Sequence, residues 1–305
     1  MWRELWRLLK ASAREWWKDD TFRLASSLAF YTIFSLAPVL LIAIYLVERV
    51  LSTWNAAAAI AGQVSALVGD DGGRVIEQIA RNAQTFRGDA WTVIAGVSTL
   101  LFGSTVFFAE LQAALNQIWG VKPDPRRGVV LRLVRDRVLS FAMAVSIGFL
   151  LLVSLVLSAA LHALQAYMGG LLPGWGVAWQ ISNTILSVAL STALFALIYK
   201  ILPDAKIRWS DVWIGALATA VLFAVGKYLI GAYLGRVALG SAYGAAGSFV
   251  VFLIWIYYSA LICFYGAEFT QVYARRHGGR IEPKEGAVLR GEEPRSPAAG
   301  SGAGG

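Results

Sequence analysis

The chain has 305 residues and a mass of 33.0 kDa; 57% of its residues are hydrophobic, 15% are charged, and its mean hydropathy is +0.60. Soluble domains average about 25% charged residues, and Val138 to Tyr199 is a run of 62 residues with no Asp, Glu, Lys or Arg, so a water-soluble globule is excluded. The net charge of +8 and pI near 9.7 follow from where the basic residues are placed along a membrane chain, and no nucleic-acid partner is expected.

At the N-terminus, Trp2, Leu5, Trp6, Leu9, Trp16 and Trp17 recur at helical spacing, with Arg3, Arg7, Lys10, Arg14 and Lys18 between them. The pattern predicts an amphipathic helix within residues 1–23. It either lies in the cytoplasmic leaflet against anionic lipids or caps the helix bundle. Six spans follow, at about 24–47, 91–118, 138–166, 177–201, 211–234 and 246–273, because about 20 apolar residues cross a bilayer core. The fold expected over 24–276 is therefore an all-α, six-span bundle. The first apolar run is too long for the core of a cleavable signal, so the first span is expected to stay in the protein.

Residues 48–90 form a long first loop with two amphipathic segments on either side of Gly69-Asp70-Asp71-Gly72-Gly73. They are expected to make a short helical cap on the outer face. From 277 to 305 the chain is rich in Gly, Pro, Ser and charge, too poor in apolar residues to offset the entropy of ordering, and it reads as a disordered tail. Apart from Lys227, 21 Lys and Arg residues fall on the side of the two termini and five on the other. The excess of positive charge on cytoplasmic loops then puts both termini in the cytoplasm of a bacterial inner-membrane protein.

Charged residues inside spans are costly and are functional candidates by default. Glu110 and Glu268 lie about 19 and 22 residues from the outer ends of their helices, or roughly 28 and 33 Å at the helical rise. Both belong near the cytoplasmic interface, where pairing with Arg or Lys of the inner loops, or a substrate or proton site, accounts for them. Lys227 lies roughly 24 Å along an outward-running helix, in the outer third of the bilayer. It either snorkels to headgroups or faces an aqueous cavity, and it is the candidate contact for an anionic substrate. Tyr31 and Asn183, with Ser27, Thr32 and Thr219, supply polar groups for such a path, although a hydroxyl also bonds the carbonyl one turn back. Pro38 interrupts the first span. Together with Gly231, Gly244 and Gly247 it marks either close helix packing or a broken helix beside a substrate path.

Signs of enzyme chemistry are missing. Cys263 is the lone cysteine, and His162 and His277 lie far apart, so no metal centre, no cofactor and no nucleophile system is expected. No Walker-type phosphate loop occurs.

Four blocks carry a resemblance: Ser26-Ser27-Leu28-Ala29-Phe30-Tyr31-Thr32-Ile33-Phe34-Ser35-Leu36-Ala37-Pro38; Ala114-Leu115-Asn116-Gln117-Ile118-Trp119-Gly120-Val121; Leu202-Pro203-Asp204-Ala205-Lys206-Ile207-Arg208-Trp209; and Tyr243-Gly244-Ala245-Ala246-Gly247-Ser248 through Gly266-Ala267-Glu268. In this order the chain resembles the YihY/BrkB family of bacterial inner-membrane proteins over residues 15 to 276. The resemblance implies an integral inner-membrane protein; some members are described as virulence factors, and some carry an old ribonuclease BN label. A nuclease needs clustered carboxylates or a histidine pair in water, which the sequence lacks, so ribonuclease activity is not expected. Two classes remain: a transporter or exporter of an anionic or lipid-like compound, and a non-transporting scaffold or envelope-integrity factor acting through partners.

Overall fold

The computed structural model describes residues 2–32, 58, 62, 77, 106–124, 143, 146, 175–234, 247–277 and 281–290. Pro38, Gly244 and nearly all of the outer cap and of the third span lie outside the described residues.

Helix α1 runs from Trp2 to Lys18. Leu8 and Ser12 are buried, and Trp16 half-buried, at successive four-residue steps, while Trp6, Arg7, Lys10, Arg14 and Trp17 are exposed. This is the two-faced pattern that the spacing predicts. Asp20, at φ 55°, adopts the left-handed conformation that Asp tolerates better than most residues and turns the chain. Its carbonyl then accepts from the amides of Arg23 and Leu24. The next helix, α2, is helical over 21–32 and buries Leu24, Ala25, Leu28 and Ala29. Helix α3, helical over 106–118, ends at Gly120, whose φ of 64° is the usual device for stopping a helix.

The last three spans are the helices α4 (Trp175–Ile201), α5 (Trp209–Leu234) and α6 (Gly247–Arg276). Segments of all three are long and apolar enough to cross a membrane: Thr184–Ile201, Trp209–Ile230 and Val250–Arg276. Helix α5 packs against both α4 and α6, and α1 packs against α6. The outer face of α5 exposes Leu217, Val221, Val225 and Leu229, as a lipid-facing surface should. At the end that carries Lys200, Lys206 and Arg208, the exposed rings of Trp209 and Trp213 stack at 6.5 Å, and the Lys200 ammonium sits 5.2 Å from the Trp209 ring. Tryptophan and lysine together mark a membrane–water interface.

Two departures from the expected architecture occur at this basic end. The fold is not purely helical, and the tail is ordered over residues 281–290. Four short strands, β1 (Val121–Pro123), β2 (Ala205–Lys206), β3 (Glu282–Pro283) and β4 (Ala287–Leu289), pair antiparallel as β1 with β4 and β2 with β3. The expectation of disorder from 277 onward fails here for a physical reason. Its low apolar content does not limit backbone pairing, and the helix connections present free strand edges to receive it. Lys284 adds a second hold, because its Nζ donates to the carbonyls of Lys200 and Ile201 at 3.3 and 3.1 Å, which the end of α4 leaves without helical partners. Truncation after residue 280 is therefore expected to lower the unfolding temperature by several degrees. Lys284→Ala alone should cost about 1 kcal/mol, read as earlier exposure of the buried Cys263 thiol to a thiol-reactive dye on heating.

Candidate functional site

Polar side chains buried among the described residues gather in two places. The first lies inside the spans. Tyr199 Oη donates to the Cys263 carbonyl at 2.6 Å and lies 3.1 Å from Thr219 Oγ1, which itself donates to the Gly215 carbonyl at 2.7 Å. Tyr199 comes from α4, Thr219 from α5 and Cys263 from α6, so one hydroxyl pair joins three helices. The helices approach closely enough that a Cβ on Gly215 would collide with Thr270, and one on Gly266 with Thr219 and Tyr199. This region is packed solid.

The second place is the basic end, where α1, α2, α3, the α4–α5 connection, α6 and the tail meet. Asp204, 5% exposed, accepts from Asn116 Nδ2 at 3.0 Å and Gln112 Nε2 at 3.3 Å. Its backbone amide donates to Asn116 Oδ1 at 2.8 Å, and its carbonyl accepts from the Lys284 amide at 2.7 Å. Gln271 of α6 donates to the Ile118 carbonyl, and Gln117 to the Asp19 carbonyl at 2.8 Å. Beside this network is a cleft of about 320 Å³ with Gln112, Asn116 and Asp204 at its wall and Gln117, Lys122 and Arg290 around it.

The candidate residues read from the sequence divide accordingly. Glu110, half-buried, accepts from Ser27 Oγ of α2. Tyr31, one turn beyond Ser27, shares that helix face, is half-buried and meets the ring of Phe30 edge-on at 5.6 Å. Glu268 is fully buried, and neither carboxyl oxygen has a donor among the described residues. Its charged neighbours are Asp19 and Glu15 from α1 and its end and, on α6 itself, Arg275. Among the described residues neither glutamate makes an ion pair with Arg or Lys; the inner loop that carries Arg126, Arg127, Arg132, Arg135 and Arg137 lies outside the described residues. Burial, more than any neighbouring charge, raises the Asp19 carboxyl above its ordinary value; Glu15 adds to the rise, and the neighbouring Glu268 carboxyl, Lys18 and Arg290 oppose it.

Lys227 is half-buried on α5. It lies seven residues after Ala220, four after Phe223 and three before Ile230, on the stripe of α5 that faces the protein. Asn183, Gly231 and Gly247 are helical, and only their backbones are described. None of these three joins the cluster at the basic end. Asp19, Gln112, Asn116, Asp204 and Gln271 were not singled out from the sequence as site residues. The signal available was the position of Asn116 and Asp204 within two of the resembling blocks, at helix ends where polar residues look like ordinary caps.

A search of solved structures finds none that matches. Among known proteins, a UPF0761 membrane protein of Ralstonia nicotianae is 31% identical over 258 residues, covering 82% of this chain and 55% of the relative. One from Verminephrobacter eiseniae is 30% identical over 270 residues, covering 87% and 62%, and one from Chromobacterium violaceum is 30% identical over 263 residues, covering 84% and 59%. The chain thus spans somewhat more than half the length of these relatives. The model of the virulence factor BrkB family matches residues 12–288, nearly the whole chain, and this chain belongs to the BrkB family of membrane proteins.

Proposed function

We propose that the protein moves an anionic or lipid-like compound across a bacterial inner membrane, with both termini in the cytoplasm and Lys227 as a contact for the anion. The observation that carries this reading is the position of Lys227. A lysine that only snorkels belongs with Leu217, Val221 and Val225 on the lipid face of α5, yet Lys227 lies on the opposite, protein-facing stripe. No carboxylate among the described residues is bonded to it. An ammonium held in such a place is expensive unless water or an anion meets it. On this reading α4, α5 and α6 form one rigid wall, and the path runs along its protein-facing side. The outer face of α1, with Trp6, Trp17 and three exposed basic residues between them, rests on anionic lipid of the cytoplasmic leaflet. No catalytic step, ribonuclease action or nucleic-acid partner belongs to this reading.

One observation favours the scaffold reading instead: the described interior is tightly packed and the described cleft lies at the basic end. A thiol-accessibility experiment separates the two. In a Cys263→Ser background, Lys227→Cys should react with a membrane-impermeant thiol reagent added outside sphaeroplasts. In proteoliposomes, movement of fluorescent phosphatidylglycerol should be lost in Lys227→Ala and partly kept in Lys227→Arg, with protein levels unchanged. No labelling, together with wild-type behaviour of both variants, overturns the transport reading.

A further inference from the structure

We propose that Asp19 and Glu268 form a proton-binding site that fastens the α1–α2 corner to α6 while it holds a proton and loosens it when the proton leaves. The two carboxyl groups are neighbours, and since ionised carboxylates offer only acceptors, they can bond each other only with a proton on one of them. Glu268 is completely buried and has no other donor among the described residues. If both groups were charged, a carboxylate sealed from water would lie beside a half-buried one, and their repulsion is stronger there than in water. The described buried polar side-chain atoms without a hydrogen-bond partner are the two Glu268 oxygens and the indole nitrogens of Trp16 and Trp119. Of these, Trp16 lies one turn before Asp19, on the α1 side of the joint.

The charged surroundings do not supply a neutralising partner. From α1, Glu15 adds repulsion and Lys18 opposes it; Arg290 of the tail acts on Asp19, and Arg275 of α6 on Glu268. None of these makes an ion pair with either carboxyl among the described residues. The last two turns of α3 carry no charged residue. Helix α5 meets α6 through Gly266 and Thr270, two residues either side of Glu268 and so on the other face, which keeps Asp211 away.

The site lies within the seam that docks α1. Leu8 packs with Phe269 and Val272, Tyr265 Oη donates to the Leu9 carbonyl at 3.2 Å, and the rings of Trp16 and Tyr265 meet edge-on at 6.2 Å. Residues 265, 268, 269 and 272 share one face of α6. Asp19 is also one residue from the left-handed turn into α2, so a change of charge there acts directly on the entry to the first span. The sign follows from the burial of Glu268 with no donor for either oxygen among the described residues: the docked state holds a proton that the undocked state gives up more easily. Docking is therefore strongest below the ordinary carboxylate range and weakens as pH rises through it toward the docked-state value. That the proton is the coupling ion of transport rests on the function proposed above; the site itself does not.

The test uses the full chain in lipid nanodiscs. Infrared difference spectra between mildly acidic and mildly alkaline pH should contain a protonated-carboxyl band that is lost on raising pH and is missing from both Glu268→Gln and Asp19→Asn. For docking, Ser12→Cys in a Cys263→Ser background puts a thiol in the buried face of α1. Its maleimide labelling at alkaline pH should be about tenfold faster than in the same protein carrying Glu268→Gln at the same pH, the change expected one unit beyond a titration midpoint. The comparison at equal pH cancels the thiol's own titration. A spectrum without the band, a band unchanged in both variants, or labelling that does not depend on Glu268 overturns the proposal. Loss of phosphatidylglycerol movement in Lys227→Ala bears only on transport, and either result there leaves the two site measurements independent.

Discussion

Replacing Gly266 with valine is expected to abolish the folded protein, with no monodisperse peak on size exclusion in mild detergent. A Cβ at this position would meet Thr219 Oγ1, Thr219 Cγ2 at 2.7 Å and Tyr199 Oη at 2.6 Å. These are not loose ends of flexible chains. Tyr199 is anchored on the Cys263 carbonyl and Thr219 on the Gly215 carbonyl, so neither gives way without breaking a buried hydrogen bond. Overpacking a core costs about 1–3 kcal/mol, and each buried donor or acceptor left without a partner adds about 1–3 kcal/mol. Together these approach the whole stability of an ordinary domain. Gly266→Ala should be milder but still clearly destabilised. Combining it with Thr219→Ala and Tyr199→Phe, which removes the atoms it strikes, should recover part of the loss. Failure of that triple variant to improve on Gly266→Ala would show that close contact at this position is not the cause.

Asp204→Ala is expected to have the second-largest effect, a loss of about 2–3 kcal/mol. The carboxylate holds the amide groups of Gln112 and Asn116 in a place almost closed to water, and alanine leaves both donors buried and unpaired. The loss should spread, because the backbone of the same residue joins α3 through Asn116 Oδ1 and the tail through Lys284. Asp204→Asn keeps an acceptor and the shape, so it should retain most of the stability. The measure is the temperature at which Cys263, buried in the spans, becomes reactive to a thiol dye. Equal midpoints for Asp204→Ala and the parent would remove Asp204 from its role at this joint.

Gly266 and Asp204 differ in how readable they are in the linear chain, and the difference has a physical origin. Hydrophobic matching to a bilayer is a local property, set by an uncharged run and the charges that end it. The expected spans at 177–201, 211–234 and 246–273 therefore lie within three residues of α4, α5 and α6 at every boundary. The helical period of α1 was legible for the same reason. For Lys227 the linear chain set only its depth along the helix; that it shares a stripe with Ala220, Phe223 and Ile230, which face the protein, was decided by packing. What no run or period contains is the partner of a polar side chain. Asp204 and Asn116 are 88 positions apart, and Asp19 and Glu268 are farther still. Glu268, read alone, left open a basic neighbour or a substrate or proton site. Only the packing of α1 across α6 brings a second carboxyl there and makes the pair a place for a proton. The ordered tail belongs with these contacts: a segment too polar to fold on its own is held because its backbone completes strand edges and the end of α4, groups that exist only once the helices have assembled.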